Sequence, residues 1–156
     1  MNNIEAFNNT NGIHIAYRAG YNVLNNIHTF NNSYGLWIND NAYRNTINNI
    51  QTNNNGYGIY LENYANPRYE NTINNAQIYN NVYGLTTATA GSNNNISNTQ
   101  IYNNSQYGIL GLTLGATITY YGDNAIYANG TNIDDPSTYF ITGTNLSRSD
   151  GTYTTT

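Results

Sequence analysis

The stretch Asn45-Thr46-Ile47-Asn48-Asn49-Ile50-Gln51-Thr52-Asn53-Asn54-Asn55-Gly56-Tyr57-Gly58-Ile59-Tyr60-Leu61 decides how this chain folds. Two asparagine blocks bracket a four-residue run, and a glycine opens a second apolar run. The same order recurs along the chain. Asn8-Asn9 leads to Gly12, Asn31-Asn32 to Gly35, Asn54-Asn55 to Gly58, Asn80-Asn81 to Gly84 and Asn103-Asn104 to Gly108. The glycines are spaced 23, 23, 26 and 24 residues apart. A period in the twenties marks a solenoid, in which each unit buries its apolar face only against its neighbours.

Within each unit the periodicity is two. The runs Ile4-Glu5-Ala6-Phe7, Ile27-His28-Thr29-Phe30, Ile50-Gln51-Thr52-Asn53, Ala76-Gln77-Ile78-Tyr79 and Thr99-Gln100-Ile101-Tyr102 place a polar residue between two small or apolar ones. Alternation of this kind is a strand with one inward face. After the glycines, Ile13-His14-Ile15, Leu36-Trp37-Ile38, Ile59-Tyr60-Leu61, Leu85-Thr86-Thr87 and Ile109-Leu110-Gly111 form a second strand whose middle residue faces out. A third, shorter strand carries Leu24, Ile47, Ile73 and Ile96 inward. The expected fold is all-β, a parallel β-helix with three short strands per coil.

Asparagine columns fit the bends of such a coil. Coils stack at about 4.8 Å, and backbone groups that leave the ladder at a bend need partners. An amide repeated at one bend position bonds to its copies above and below, and asparagine tolerates left-handed backbone. Two structural ladders are expected: Asn3, Asn26, Asn49, Asn75 and Asn98, and Asn8, Asn31, Asn54, Asn80 and Asn103. A third asparagine column is Asn22, Asn45, Asn71 and Asn94. Each column glycine is expected at positive φ. Tyr34, Tyr57, Tyr83 and Tyr107 precede four of them and should stack as a structural file.

Composition narrows the function. Asparagine supplies 35 of 156 residues, and tyrosine 17. Only 4 Lys+Arg face 8 Asp+Glu, for a net charge of −4. That leaves no basic footprint for nucleic acid, and no apolar run is long enough to span a bilayer. With 0 cysteines there are no disulfides or thiolate metal sites. His14 and His28 stand in different columns without a third ligand, so no metal site or cofactor is expected.

The units resemble the parallel β-helix repeats of the pectate-lyase-like superfamily, in the Asn-rich version found in secreted carbohydrate-binding proteins and sugar hydrolases. The resemblance rests on Asn45-Thr46-Ile47-Asn48-Asn49 through Asn54-Asn55-Gly56-Tyr57-Gly58-Ile59-Tyr60-Leu61 and covers residues 2 to 112. It implies a right-handed β-helix of about five to six coils and no particular activity. Residues 113–146 are expected to form an atypical last coil and C-terminal strands, a cap or assembly segment, and 147–156 a flexible tail.

The candidate surface is the outward column His14, Trp37 and Tyr60, with Asn39, Asp40 and Glu62 just beyond. Outward aromatics stack on sugar rings, and amides or carboxylates accept hydroxyl hydrogen bonds. Asp40 and Glu62 stand at nearly equivalent positions in adjacent coils, where two carboxylates could serve as acid and base in glycoside hydrolysis or be two solvated turn residues; with no third acid or evident cleft, no catalytic residue is assigned. Arg18, Arg44 and Arg68 lie beside tyrosines; Arg44 and Arg68 are expected to pair with Glu70 or Asp40 or to stack on a ring, with clamping of an acidic sugar as the alternative. The reading is a non-catalytic extracellular or cell-surface module, structural or adhesive. Its expected partners are copies of itself, stacked head to tail, or flanking domains. The alternatives are carbohydrate binding at the Trp37/Tyr60 face and a fragment of a polysaccharide lyase or hydrolase.

Overall fold

The repeat winds into a β-solenoid of about five turns, seen in a computed structural model. The structure describes residues 1–62, 70–88, 93–112, 117–121, 123–134, 141–143, 146–148 and 151–153. Coil one supplies β1 (Asn2–Phe7) and β2 (Asn11–Ile15), coil two β3 (Val23–Phe30) and β4 (Tyr34–Asn39), coil three β5 (Thr46–Asn53) and β6 (Tyr57–Glu62). Coil four holds β7 (Thr72–Asn74), β8 (Gln77–Tyr79) and β9 (Tyr83–Thr87); coil five holds β10 (Asn93–Ser97), β11 (Gln100–Tyr102) and β12 (Tyr107–Gly111). Then follow β13 (Thr117–Tyr121), β14 (Asn124–Tyr127), β15 (Thr131–Asp134), β16 (Ile141–Gly143), β17 (Leu146–Arg148) and β18 (Gly151–Tyr153).

These strands make two sheets rather than the three strand files expected. One sheet runs β15-β12-β9-β6-β4-β2, and the other takes all remaining strands. In coils two and three the two predicted strands before the bend fuse into single eight-residue strands, β3 and β5. Left-handed Asn26 (φ 57°) and Asn49 (φ 56°) fold each of them around a corner without breaking the ladder. In coils four and five the same corner, at Asn75 (φ 60°) and Asn98 (φ 50°), separates two short strands.

Register stacks like on like. Leu24, Ile47, Ile73 and Ile96 align, as do Leu36, Ile59, Leu85 and Ile109. All eight are buried. Each such side chain contributes about 1.5–3 kcal/mol on leaving water.

Amides hold the bends. Asn32, Asn55, Asn81 and Asn104 form a buried ladder. Each Oδ1 accepts the backbone N–H of the rung one coil earlier, at 2.9, 3.0, 3.0 and 2.9 Å for Asn9→Asn32, Asn55→Asn81, Asn81→Asn104 and Asn32→Asn55. The side-chain amides repeat the pattern at 3.1 Å from Asn32 to Asn55, from Asn55 to Asn81 and from Asn81 to Asn104. A second ladder runs from exposed Asn22 through buried Asn45, Asn71 and Asn94. The sequence reading placed the first ladder one residue too early. Asn8, Asn31, Asn54, Asn80 and Asn103 are exposed and supply the left-handed backbone, with φ between 54° and 59°. The neighbouring asparagine points inward and carries the bonds. The corner column does make an exposed ladder, Asn75→Asn49→Asn26→Asn3 at 2.7, 3.1 and 3.0 Å. Asn98 leaves this ladder and donates to Asn74 at 3.1 Å.

The column glycines do not have positive φ. They are glycine because the next coil leaves no room. A Cβ on Gly58 would sit 2.7 Å from the Gly84 carbonyl oxygen and 2.8 Å from Asn81 Nδ2.

Asn129 donates its N–H and Nδ2 to Asn132 three residues on, at 3.4 and 3.1 Å, and its Nδ2 also reaches back to the Ile101 carbonyl of the preceding coil at 3.1 Å. Beyond it β17 and β18 pair antiparallel, the one antiparallel pairing among the described residues. Part of the stretch expected to be a flexible tail is therefore strand. Residues 135–140, within the stretch expected to hold C-terminal strands, lie outside the described residues.

Candidate functional site

Sheet register builds the candidate face. β2, β4 and β6 align His14 with Trp37 and Trp37 with Tyr60. Inward residues flank each of them, so the three side chains emerge on the outer surface. The His14 and Trp37 rings stack at 4.5 Å and 13°. Tyr60 meets Trp37 edge-on at 6.3 Å. Beside them runs the tyrosine file, with centroids 5.0 Å apart for Tyr34–Tyr57, 4.7 Å for Tyr57–Tyr83 and 6.1 Å for Tyr83–Tyr107. Tyr34 stacks on Trp37 as well, at 5.0 Å, while keeping its place in the file. Sequence reasoning assigned Tyr34 only to the file, because i and i+3 positions on a strand meet only when large rings lean across the face.

The polar groups of this face are bonded to one another. Trp37 Nε1 donates to Glu62 Oε2 at 3.2 Å. His14 Nε2 lies 2.8 Å from Oδ1 of buried Asn39. The structure thus gathers His14, Trp37, Tyr60, Asn39 and Glu62. It does not include Asp40. The register partner of Glu62 is Asn39, so Asp40 falls one residue past the strand, in left-handed backbone at φ 51°. Its carbonyl accepts from Arg18 N–H at 3.0 Å. The outward column is interrupted at Thr86, which was expected outside and is buried.

Tyr60 is half-buried, and burial, reinforced by the Glu62 charge and then by Tyr34 and Tyr57, pushes its phenol up to about 12. The unfolded phenol ionises near 10. Folding therefore favours the neutral form, and this contribution is whole below pH 10. It is lost as pH rises from 10 towards 12, where only the unfolded chain releases the proton. Tyr60→Phe is expected to flatten the fall in unfolding midpoint across that window, read by urea titrations at stepped pH. An unchanged slope would place the shift elsewhere.

Elsewhere on the surface Arg44 donates to Tyr21 OH at 2.7 Å and lies 5.7 Å from that ring's centre. Arg68 lies outside the described residues. Gln51, Gln77 and Gln100 stand in register along a shallow amide-lined groove with the corner residues Asn49, Asn75 and Asn98.

The sequence model of the NosD family, described as a periplasmic copper-binding protein, matches residues 1–154. The chain belongs to the NosD family. No curated protein and no solved structure shows significant similarity to it. The NosD description raises the question of copper, and the donors present do not fit such a site. Among the described residues no three His, Cys, Asp or Glu side chains converge. The one imidazole of the aromatic face is stacked on Trp37 and already engaged at Nε2.

Proposed function

We propose that this NosD family chain is a non-catalytic β-helix module of the cell envelope or exterior, a structural or adhesive part whose first coil is its contact surface. The observation that carries the proposal is an apolar depression on the first coil. At the near end a depression of about 740 Å³ is lined by Met1, Ile13, Ile15, Ala19 and Leu24 among others. Each ladder oxygen accepts from the coil before it, so Asn9 and Asn22 are the rungs whose acceptors a further coil would use. The chemistry that fits this end is another β-helix coil, from a second copy or a flanking segment. The periplasmic description of the family supports the envelope side. No helix among the described residues is long and apolar enough to cross a membrane.

Dispersed acids support a non-catalytic role, since Asp40 and Glu62 occupy non-equivalent positions. Carbohydrate binding at the Trp37 face is the weaker reading. Its rings are stacked on each other, and its N–H and carboxylate are paired. Titration with soluble glycans, followed by Trp37 fluorescence, tests it directly.

Sedimentation velocity and negative-stain electron microscopy across a concentration series test the contact surface. End-to-end dimers or short rods that grow with concentration, and dissolve in Ile13→Asp, are the expected result. Uniform monomers at every concentration would remove self-stacking and leave only docking to a flanking coil.

A further inference from the structure

We infer that this NosD family chain does not hold copper, and that its two imidazoles are rungs of the solenoid wall instead. Copper(I) is held by thiolates and thioethers and copper(II) by imidazoles. The whole chain offers 0 Cys, 1 Met and 2 His. A site would have to bring the histidines together. His14 sits on β2 and His28 on β3, in different sheets.

Both rings are committed in the same way. His14 Nε2 lies 2.8 Å from Asn39 Oδ1, and His28 Nε2 lies 2.9 Å from Asn53 Oδ1. Each asparagine is 25 residues on, in the next coil. An amide oxygen only accepts, so with Oδ1 facing the ring Nε2 bears the proton; each ring then offers a metal only its Nδ1, one nitrogen on each of two different sheets. Each ring is also packed, His14 on Trp37 at 4.5 Å and His28 against Phe30 at 4.8 Å. On His28 the remaining nitrogen, Nδ1, has a single carboxylate near it, Glu5 Oε1 at 3.9 Å. Two imidazoles on different sheets, each used as a cross-coil donor, do the same work as the amide ladders.

The test loads the purified chain with copper(II) in air and with copper(I) under anaerobic reduction. The protein is desalted and its metal counted by mass spectrometry. Copper is expected to stay far below one equivalent in both states. Long-range proton–nitrogen spectra of the imidazoles are expected to show both rings protonated at Nε2, with no selective broadening by copper(II). His14→Gln and His28→Gln should each lower the thermal midpoint and leave the copper count unchanged. Retention of one equivalent in either oxidation state overturns the inference, on the imidazoles if either substitution abolishes it and on other donors if neither does. Protonation at Nδ1 with Nε2 free overturns the rung assignment.

Discussion

Asn55→Ala is expected to destabilise the solenoid by about 4 kcal/mol, because it strips partners from buried groups in two coils at once. Asn55 Oδ1 accepts from Asn32 N–H at 2.9 Å and Asn32 Nδ2 at 3.1 Å. Its own Nδ2 donates towards Asn81 Oδ1, Thr52 Oγ1 and the carbonyls of Thr29 and Asn53. Asn32, Asn55, Asn81, Thr29 and Thr52 are buried, so water does not replace what is lost. In a domain of this length the loss corresponds to roughly 10 °C in Tm. The neighbour is the control. Asn54 is exposed and contributes only its φ of 54°. Asn54→Ala is expected to cost about 1 kcal/mol for the left-handed backbone, and Asn54→Gly almost nothing. Urea unfolding midpoints of the three variants decide the matter. Equal losses at positions 54 and 55 would show that the ladder bonds are not what stabilises the bend.

Gly58→Ala is expected to be nearly as severe, at about 3 kcal/mol, from overpacking. Its Cβ would lie 2.8 Å from Ile78 Cγ2 in addition to the Gly84 oxygen and the Asn81 amide. None of these can retreat, since one is strand backbone, one a buried rung and one a core side chain. Gly58→Asn separates this account from a conformational one. If the site required left-handed backbone, asparagine would be accepted almost as well as glycine. With the space closed, Gly58→Asn should be worse than Gly58→Ala, and the order of their thermal midpoints reads out which constraint applies.

Much of this was legible in the chain. Apolar residues repeat at period two inside a longer period in the twenties, so Leu24, Ile47, Ile73 and Ile96 were recognisable as one inward column before any coordinates. The errors share a cause. Asn8 and Asn9 are the same residue type, and the repeat shows only that both recur. Which one turns the backbone and which one enters the core depends on a rotation of one residue at the bend. The glycines recur for closeness between coils, a property of stacking that no local pattern reports. Asp40 and Glu62 looked equivalent because intervals between units vary by a few residues, and only the Asn39–Glu62 register shows which position is paired.

Sequence alone determined that this chain is a stack of coils, since a short period of apolar and amide residues can be buried only by repetition. It also determined that copper ligands are scarce, because donor atoms are a matter of composition. Tertiary structure decided which amides are rungs and why the glycines are glycine. It also decided that the Trp37 face is spent on its own contacts. These depend on where one coil lies against the next, at distances of a few ångströms, and that placement exists only once the chain has wound upon itself.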